Sequence, residues 1–247
     1  MLSYTRFELL RTLRNPRFLV MTMLFPVLIN VAFVQLNSAR YSASDLQVFA
    51  TAYMMDMAAF ATVSACLSTA GNRLAQERSS GWFSYLTLTP LRPIDIVGGK
   101  ILASIGVGVP AVIAVFASGV LVNGVRVNPL LLLAALGIVI VGSVAFAALG
   151  TVIGLVTTGE TAYAASMIAL MFFAIFGGLW MPRDSLPAWL GALVELTPSY
   201  QIAHFGTGLV TGTPVSIVEA LLVFCVWAVA FIVPALLAYR RSAVATR

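Results

Sequence analysis

The sequence predicts an all-α, polytopic membrane protein: six transmembrane helices, an N-terminal interfacial helix, a helix in the first cytoplasmic connection and short re-entrant helices on the outer side. Three observations carry this. Of the 247 residues, 60% are hydrophobic and only 9% charged, too little charge to cover a soluble domain. Charge-free windows run from Phe18 to Ala39, Ile101 to Val125, Val127 to Gly159, Thr161 to Pro182 and Ala220 to Tyr239, and a sixth, Leu46 to Asn72, carries only Asp56. Each reaches the ~20 residues that span a hydrocarbon core as helix. Backbone groups in lipid must pair internally, and nothing alternates with the dyad period of a β-barrel, so the windows read as helices.

Positive charge orients the spans, because Lys and Arg are retained in the cytoplasm. With both termini inside, the inner segments hold Arg6, Arg11, Arg14, Arg17, Arg73, Arg78, Arg92, Lys100, Arg240, Arg241 and Arg247; the outer ones hold Arg40, Arg126 and Arg183. Eleven against three predicts a multi-pass protein of the cell membrane with both ends cytoplasmic. The net charge of +5 follows from this distribution and is no sign of nucleic-acid binding. An Arg-rich basic set hints at a bacterial genome, hence a bacterial inner membrane.

Residues 1–247 form a single membrane domain. Residues 1–17 form a basic interfacial helix ended by Pro16, with Leu2, Leu9 and Leu13 on one face. An uncleaved first helix fits better than a signal peptide, given five further spans. The first two spans occupy 18–70. Residues 71–100 are a long polar cytoplasmic segment that looks like a docking element for another protein. It opens on Glu77 and Arg78, turns at Gly81, presents Trp82, Phe83 and Tyr85 at helical spacing, and breaks at Pro90 and Pro93. Spans three to five occupy 101–181; the second cytoplasmic connection, Thr157 to Ala162, is a tight turn with one charge, Glu160. In the outer segment 182–214, Leu186, Trp189, Leu190 and Leu193 keep helical spacing while Pro182, Pro187 and Pro198 forbid one continuous span. Short helices shielded by the other spans fit there. The sixth span and a cytoplasmic tail fill 215–247.

No catalytic constellation is visible. His204 reads as a loop or interfacial residue, lacking nucleophile or metal-ligand partners nearby in sequence. Gly98-Gly99-Lys100 fails as a phosphate loop, because Ile94 stands where the first Gly is needed and Ile101 where Ser or Thr is. The chain is therefore expected to bind no cofactor or metal and to be no enzyme. Cys66 and Cys225 fall within spans and read as packing residues. Glu219 reads as interfacial. Asp56 has two readings: a functional carboxylate facing protein or an aqueous cavity, or an interfacial residue near the outer end of an over-long span. Gly150 and Gly154 would let another helix approach closely. Met167, Met171, Phe172, Phe173 and Phe176 could line an adaptable apolar path, or simply pack.

Taken together, these residues resemble a known family. The chain is similar over essentially its whole length to the transmembrane subunits of type-2 ATP-binding-cassette (ABC) exporters. Two stretches carry the likeness: Glu77-Arg78, Gly81, Trp82, Thr89-Pro90-Leu91 and Gly99-Lys100 in the cytoplasmic segment, and Leu186-Pro187-Trp189-Leu190 with Leu196-Thr197-Pro198 and Tyr200 outside. The resemblance implies a permease working as a dimer, with a second copy or a paralogue, alongside two separate cytoplasmic ATPase subunits that bind ATP and Mg. It implies that Glu77 to Pro90 is a coupling helix seated on the ATPase, with Glu160 in a smaller second contact. The path would lie between the permeases, with Asp56, Met167, Met171 and Phe172 as candidate lining, under a lid holding Leu186, Trp189, Pro198 and Tyr200. Size favours a small hydrophobic compound, a drug or antibiotic, as cargo. Export of a lipid or polysaccharide, a gradient-driven secondary transporter, and a membrane scaffold or sensor are the alternatives.

Overall fold

Helix starts fall where short polar caps precede the apolar runs. The computed structural model describes residues 16–81, 93–180, 183 and 186–245, and among these every regular element is helical. In chain order they are α1 (Pro16–Asn37), a 3₁₀ turn (Ser38–Arg40), α2 (Ala43–Cys66), a π-helical stretch (Leu67–Asn72), α3 (Arg73–Ser79), α4 (Pro93–Leu121), α5 (Pro129–Val156), α6 (Gly159–Ile175), α7 (Ala188–Glu195), α8 (Pro198–Thr211) and α9 (Ile217–Ala245). Ser42 caps α2 by accepting from the Asp45 N–H, and Asn128 caps α5 by accepting from Leu130 N–H, with Pro129 at the first helical position. Most of the expected interfacial helix, 1–17, lies outside the described residues.

Among the described residues, five stretches are long and apolar enough to cross a membrane: Thr22–Arg40, Ala43–Ser79, Ile94–Leu121, Pro129–Val156 and Ile217–Tyr239. The expected fifth span is shorter than its window. Thr161 to Pro182 was to be one apolar crossing, yet α6 ends at Ile175 after 17 residues, about 25 Å of helix. The cause is tertiary: the chain turns at Gly178, and Ser199 of α8 donates to the Phe173 carbonyl at 3.0 Å, so the outer helices take the place of another turn.

The second candidate span is the hub. Its apolar window is 72% buried, against 22% for the first and last spans, so α1 and α9 are peripheral and present Leu24, Leu28, Val226 and Val229 outward, as helices do in lipid. The rod also runs further than the hydropathy window. Helix continues from Ala43 through the π-helical stretch to Ser79, so the polar segment set at 71–100 begins inside a helix. The π-helical stretch sits where Gly150 and Gly154 of α5 make room for it. A Cβ at Gly150 would lie 2.9 Å from the Cys66 carbonyl oxygen, and one at Gly154 2.7 Å from that of Ala70. The glycine pair thus serves the close approach its spacing suggested.

Candidate functional site

Two places along the α2–α3 rod gather charge. The first is its far end. Glu77 is 2% exposed and Lys100 4%, and the Lys100 Nζ donates to Glu77 Oε2 at 2.5 Å. Arg73, one turn earlier, stands 3.7 Å from the other carboxylate oxygen. A buried carboxylate needs such pairing, because its desolvation is otherwise uncompensated. The pair also joins the last turn of α3 to α4, clamping the two ends of the intervening segment.

Next to it, the Arg78 guanidinium donates to the carbonyls of Gly154 at 3.3 Å, Leu155, and Thr157 at 3.4 Å. These are carbonyls at the C-terminal end of α5, which have no intrahelical donor and carry the negative end of the helix dipole. Arg78 therefore binds the first polar connection to the second. Glu160 follows two residues beyond the bridge, in the first turn of α6 and exposed. At the other side, Gly81 takes φ +77° and ends the rod, the turn expected of it; this backbone suits glycine alone among common residues. Trp82, Phe83, Tyr85 and Pro90 lie outside the described residues.

The second place is a cavity of about 540 Å³ between α1, α2, α8 and the Gly178–Trp180 turn. Asp56 opens onto it, together with Phe33, Phe49, Tyr53, Trp180, Arg183, Tyr200 and His204. Phe49, Tyr53 and Asp56 share one face of α2 at spacings of four and three. Phe33 stacks on Tyr53 with ring centroids 5.1 Å apart and planes 12° apart, and Phe49 stacks on Tyr53 at 5.8 Å. Across the cavity Tyr200 and His204, four apart on α8, stack at 5.0 Å. Arg183 Nη2 is 2.6 Å from Glu195 Oε1. Asp56 makes no hydrogen bond or ion pair among the described residues.

The structure thus brings Asp56 of the expected lining to the same cavity as Tyr200 of the expected lid, but not the other expected lining residues. Met167 and Met171 are half-buried against the core, and Phe172 is exposed, packed edge-on against Phe173 and tilted on Phe176. Of the expected lid, Leu186 is half-buried, Trp189 exposed and Pro198 buried at the start of α8. The outer helices are pinned by Gln201 Nε2 donating to the Glu195 carbonyl and Trp227 Nε1 to that of Leu196, both at 2.7 Å. Trp180, Arg183 and His204 were not singled out as site residues from sequence. His204 had a signal, its four-residue spacing from Tyr200; Trp180 and Arg183 had none, since a turn brings them in.

The sequence of this chain matches known proteins. The family model described as ABC-2 family transporter protein covers residues 22–237. YvfS of Bacillus subtilis (strain 168), whose name classes it as a transport permease, is 30% identical over 201 residues, 81% of this chain and 80% of that one. With the family model spanning nearly all the described helices, the chain belongs to the ABC-2 family of transporter proteins.

Proposed function

We propose that this chain is the permease subunit of an ABC exporter. It crosses the cell membrane six times, α6 being the shortest crossing, with both termini cytoplasmic. Two copies, or one copy and a paralogous permease, move a small hydrophobic compound of the drug or antibiotic kind outward. The ATP and Mg are handled by separate ATPase subunits, and this chain performs no hydrolysis.

The observation that carries the reading is the joined platform at the end of the rod: Lys100 clamps Glu77 and Arg78 holds the carbonyls that end α5. A lever must be rigid where it is pushed. Residues Trp82, Phe83, Tyr85 and Pro90 would then form the surface pushed by the ATPase, with exposed Glu160 as the second contact and buried Glu77 as a positioning residue. From Arg78 to Asp56 the helix continues for about 33 Å, so movement of the platform reaches the cavity without an intervening loop. Differential contacts in two ATPase states would drive the motion. Leu186, Trp189, Pro198 and Tyr200 close the outer end. Phe172, Met167 and Met171 face the second permease across the path.

The test is purification of the chain with its cognate ATPase, measuring retained ATPase and substrate-stimulated hydrolysis together. Trp82→Ala should weaken retention by about 30-fold, the ~2 kcal/mol of a buried aromatic anchor. Arg78→Ala should leave retention near wild type but uncouple hydrolysis from substrate. A wild-type chain that retains no ATPase, or a Trp82→Ala variant equal to it in both measurements, would leave the gradient-driven carrier as the reading.

A further inference from the structure

The cavity at Asp56 has the composition of a receptor for one kind of molecule. We infer that it binds an aromatic or hydrophobic organic cation, with Asp56 as counter-ion and the rings of Phe49, Tyr53, Trp180 and Tyr200 as its walls. The inference rests on reading the chain as a permease for small hydrophobic compounds and names their charge class.

Four observations converge. The volume, about 540 Å³, lies within the roughly 300–1,000 Å³ of pockets that hold drug-sized ligands. The Asp56 carboxylate opens into it without an ion-pair partner among the described residues. An unpaired carboxylate in an apolar span is costly, and a bound cation relieves that cost. Arg183, which lines the same cavity and would otherwise neutralise Asp56 or repel a cation, is engaged by Glu195 at 2.6 Å. Finally, the walls are aromatic: Phe49 and Tyr53 sit in a stacked column with Tyr41 and Phe33, and exposed Trp180, which stacks on Phe60, is the lining ring placed to offer a face whose quadrupole attracts a cation.

Other occupants fit less well. A divalent metal needs several oxygen ligands, and the described residues hold no group of three or more His, Cys, Asp or Glu placed to share one. An organic anion would meet Asp56. A neutral compound would leave the carboxylate uncompensated.

Two probes of the same shape and opposite charge test the inference: tetraphenylphosphonium and tetraphenylborate. Equilibrium dialysis of the purified full-length chain in detergent, against a protein-free detergent blank and without any ATPase, reads saturable binding of each. The expected result is one site per chain with the cation preferred by about tenfold or more, the scale of one desolvated charge or cation–π contact. Asp56→Asn should abolish the preference while eluting as wild type on size exclusion. Trp180→Leu, which keeps the carboxylate, should weaken the cation several-fold, and it decides the matter if Asp56→Asn does not fold. Absence of saturable binding, equal affinity for the two probes, or a folded Asp56→Asn chain with its preference intact would overturn the inference. Because no ATPase is present, none of these results depends on coupling, and failure to retain an ATPase would leave them unchanged.

Discussion

Glu77 and Asp56 are two carboxylates on one continuous helical rod, and their surroundings differ in kind. Glu77 is 2% exposed and lies against Lys100 at 2.5 Å and Arg73 at 3.7 Å. Asp56 has no such partner among the described residues and opens onto a cavity walled by stacked rings. A buried carboxylate whose counter-charge comes from its own chain is consumed in holding helices together. One whose counter-charge is missing, beside a space large enough for a ligand, is free to recognise something else. The same residue chemistry in the same rod thus divides between joining and binding, according to what the neighbouring helices bring to it.

The largest effect should come from breaking the internal pair. Lys100→Met takes the nearest described counter-charge from buried Glu77, and should destabilise the chain by about 3–5 kcal/mol. The double variant Glu77→Gln with Lys100→Met should recover most of that loss, because neither charge is then stranded. Thermal unfolding in detergent for both single variants and the double one checks it. If Lys100→Met unfolds like wild type, the joining role of Glu77 is lost and the contrast with Asp56 fails.

A middle-sized effect is expected between the two sites, where the rod passes α5. Gly154→Ala places a methyl 2.7 Å from the Ala70 carbonyl oxygen, 2.8 Å from that of Gly71 and 2.8 Å from Leu74 Cβ. Backbone atoms on the rod cannot give way cheaply, so a loss of about 1–3 kcal/mol follows. Gly137→Ala on the same helix meets nothing within 4 Å and serves as the control; equal melting temperatures for the two variants would show that the rod is not held there.

The smallest effect sharpens the comparison from the other side. Asp56→Asn removes a charge that has no internal partner to strand and relieves its desolvation, so the chain without ligand should be at least as stable as wild type. Transport in reconstituted vesicles with the ATPase should nevertheless fall. A stability loss as large as that of Lys100→Met would mean that Asp56 is a joining residue after all.

Much of this was legible in the linear order of residues. Apolar windows predicted the helices, because a backbone in lipid has to satisfy itself internally wherever the side chains are apolar. The Gly150 and Gly154 spacing marked a close approach, Gly81 a turn, and two short stretches the family to which the chain belongs. These are local properties, sums over neighbouring residues. What only the tertiary structure decided is which distant groups meet. Hydropathy stopped the second span at Asn72, yet packing against α5 carries the helix to Ser79 and puts a π-helical stretch in its middle. Lys100 was legible as part of the family's cytoplasmic stretch, but not as the partner of Glu77, 23 positions away. His204 had no nucleophile or metal-ligand partner nearby in sequence, but α8 lays it on Tyr200 beside the Asp56 cavity, while α6 is cut short by the helices that follow it. Electrostatic pairing and cavity shape depend on distances between helices far apart in the chain, and no local sum contains those distances.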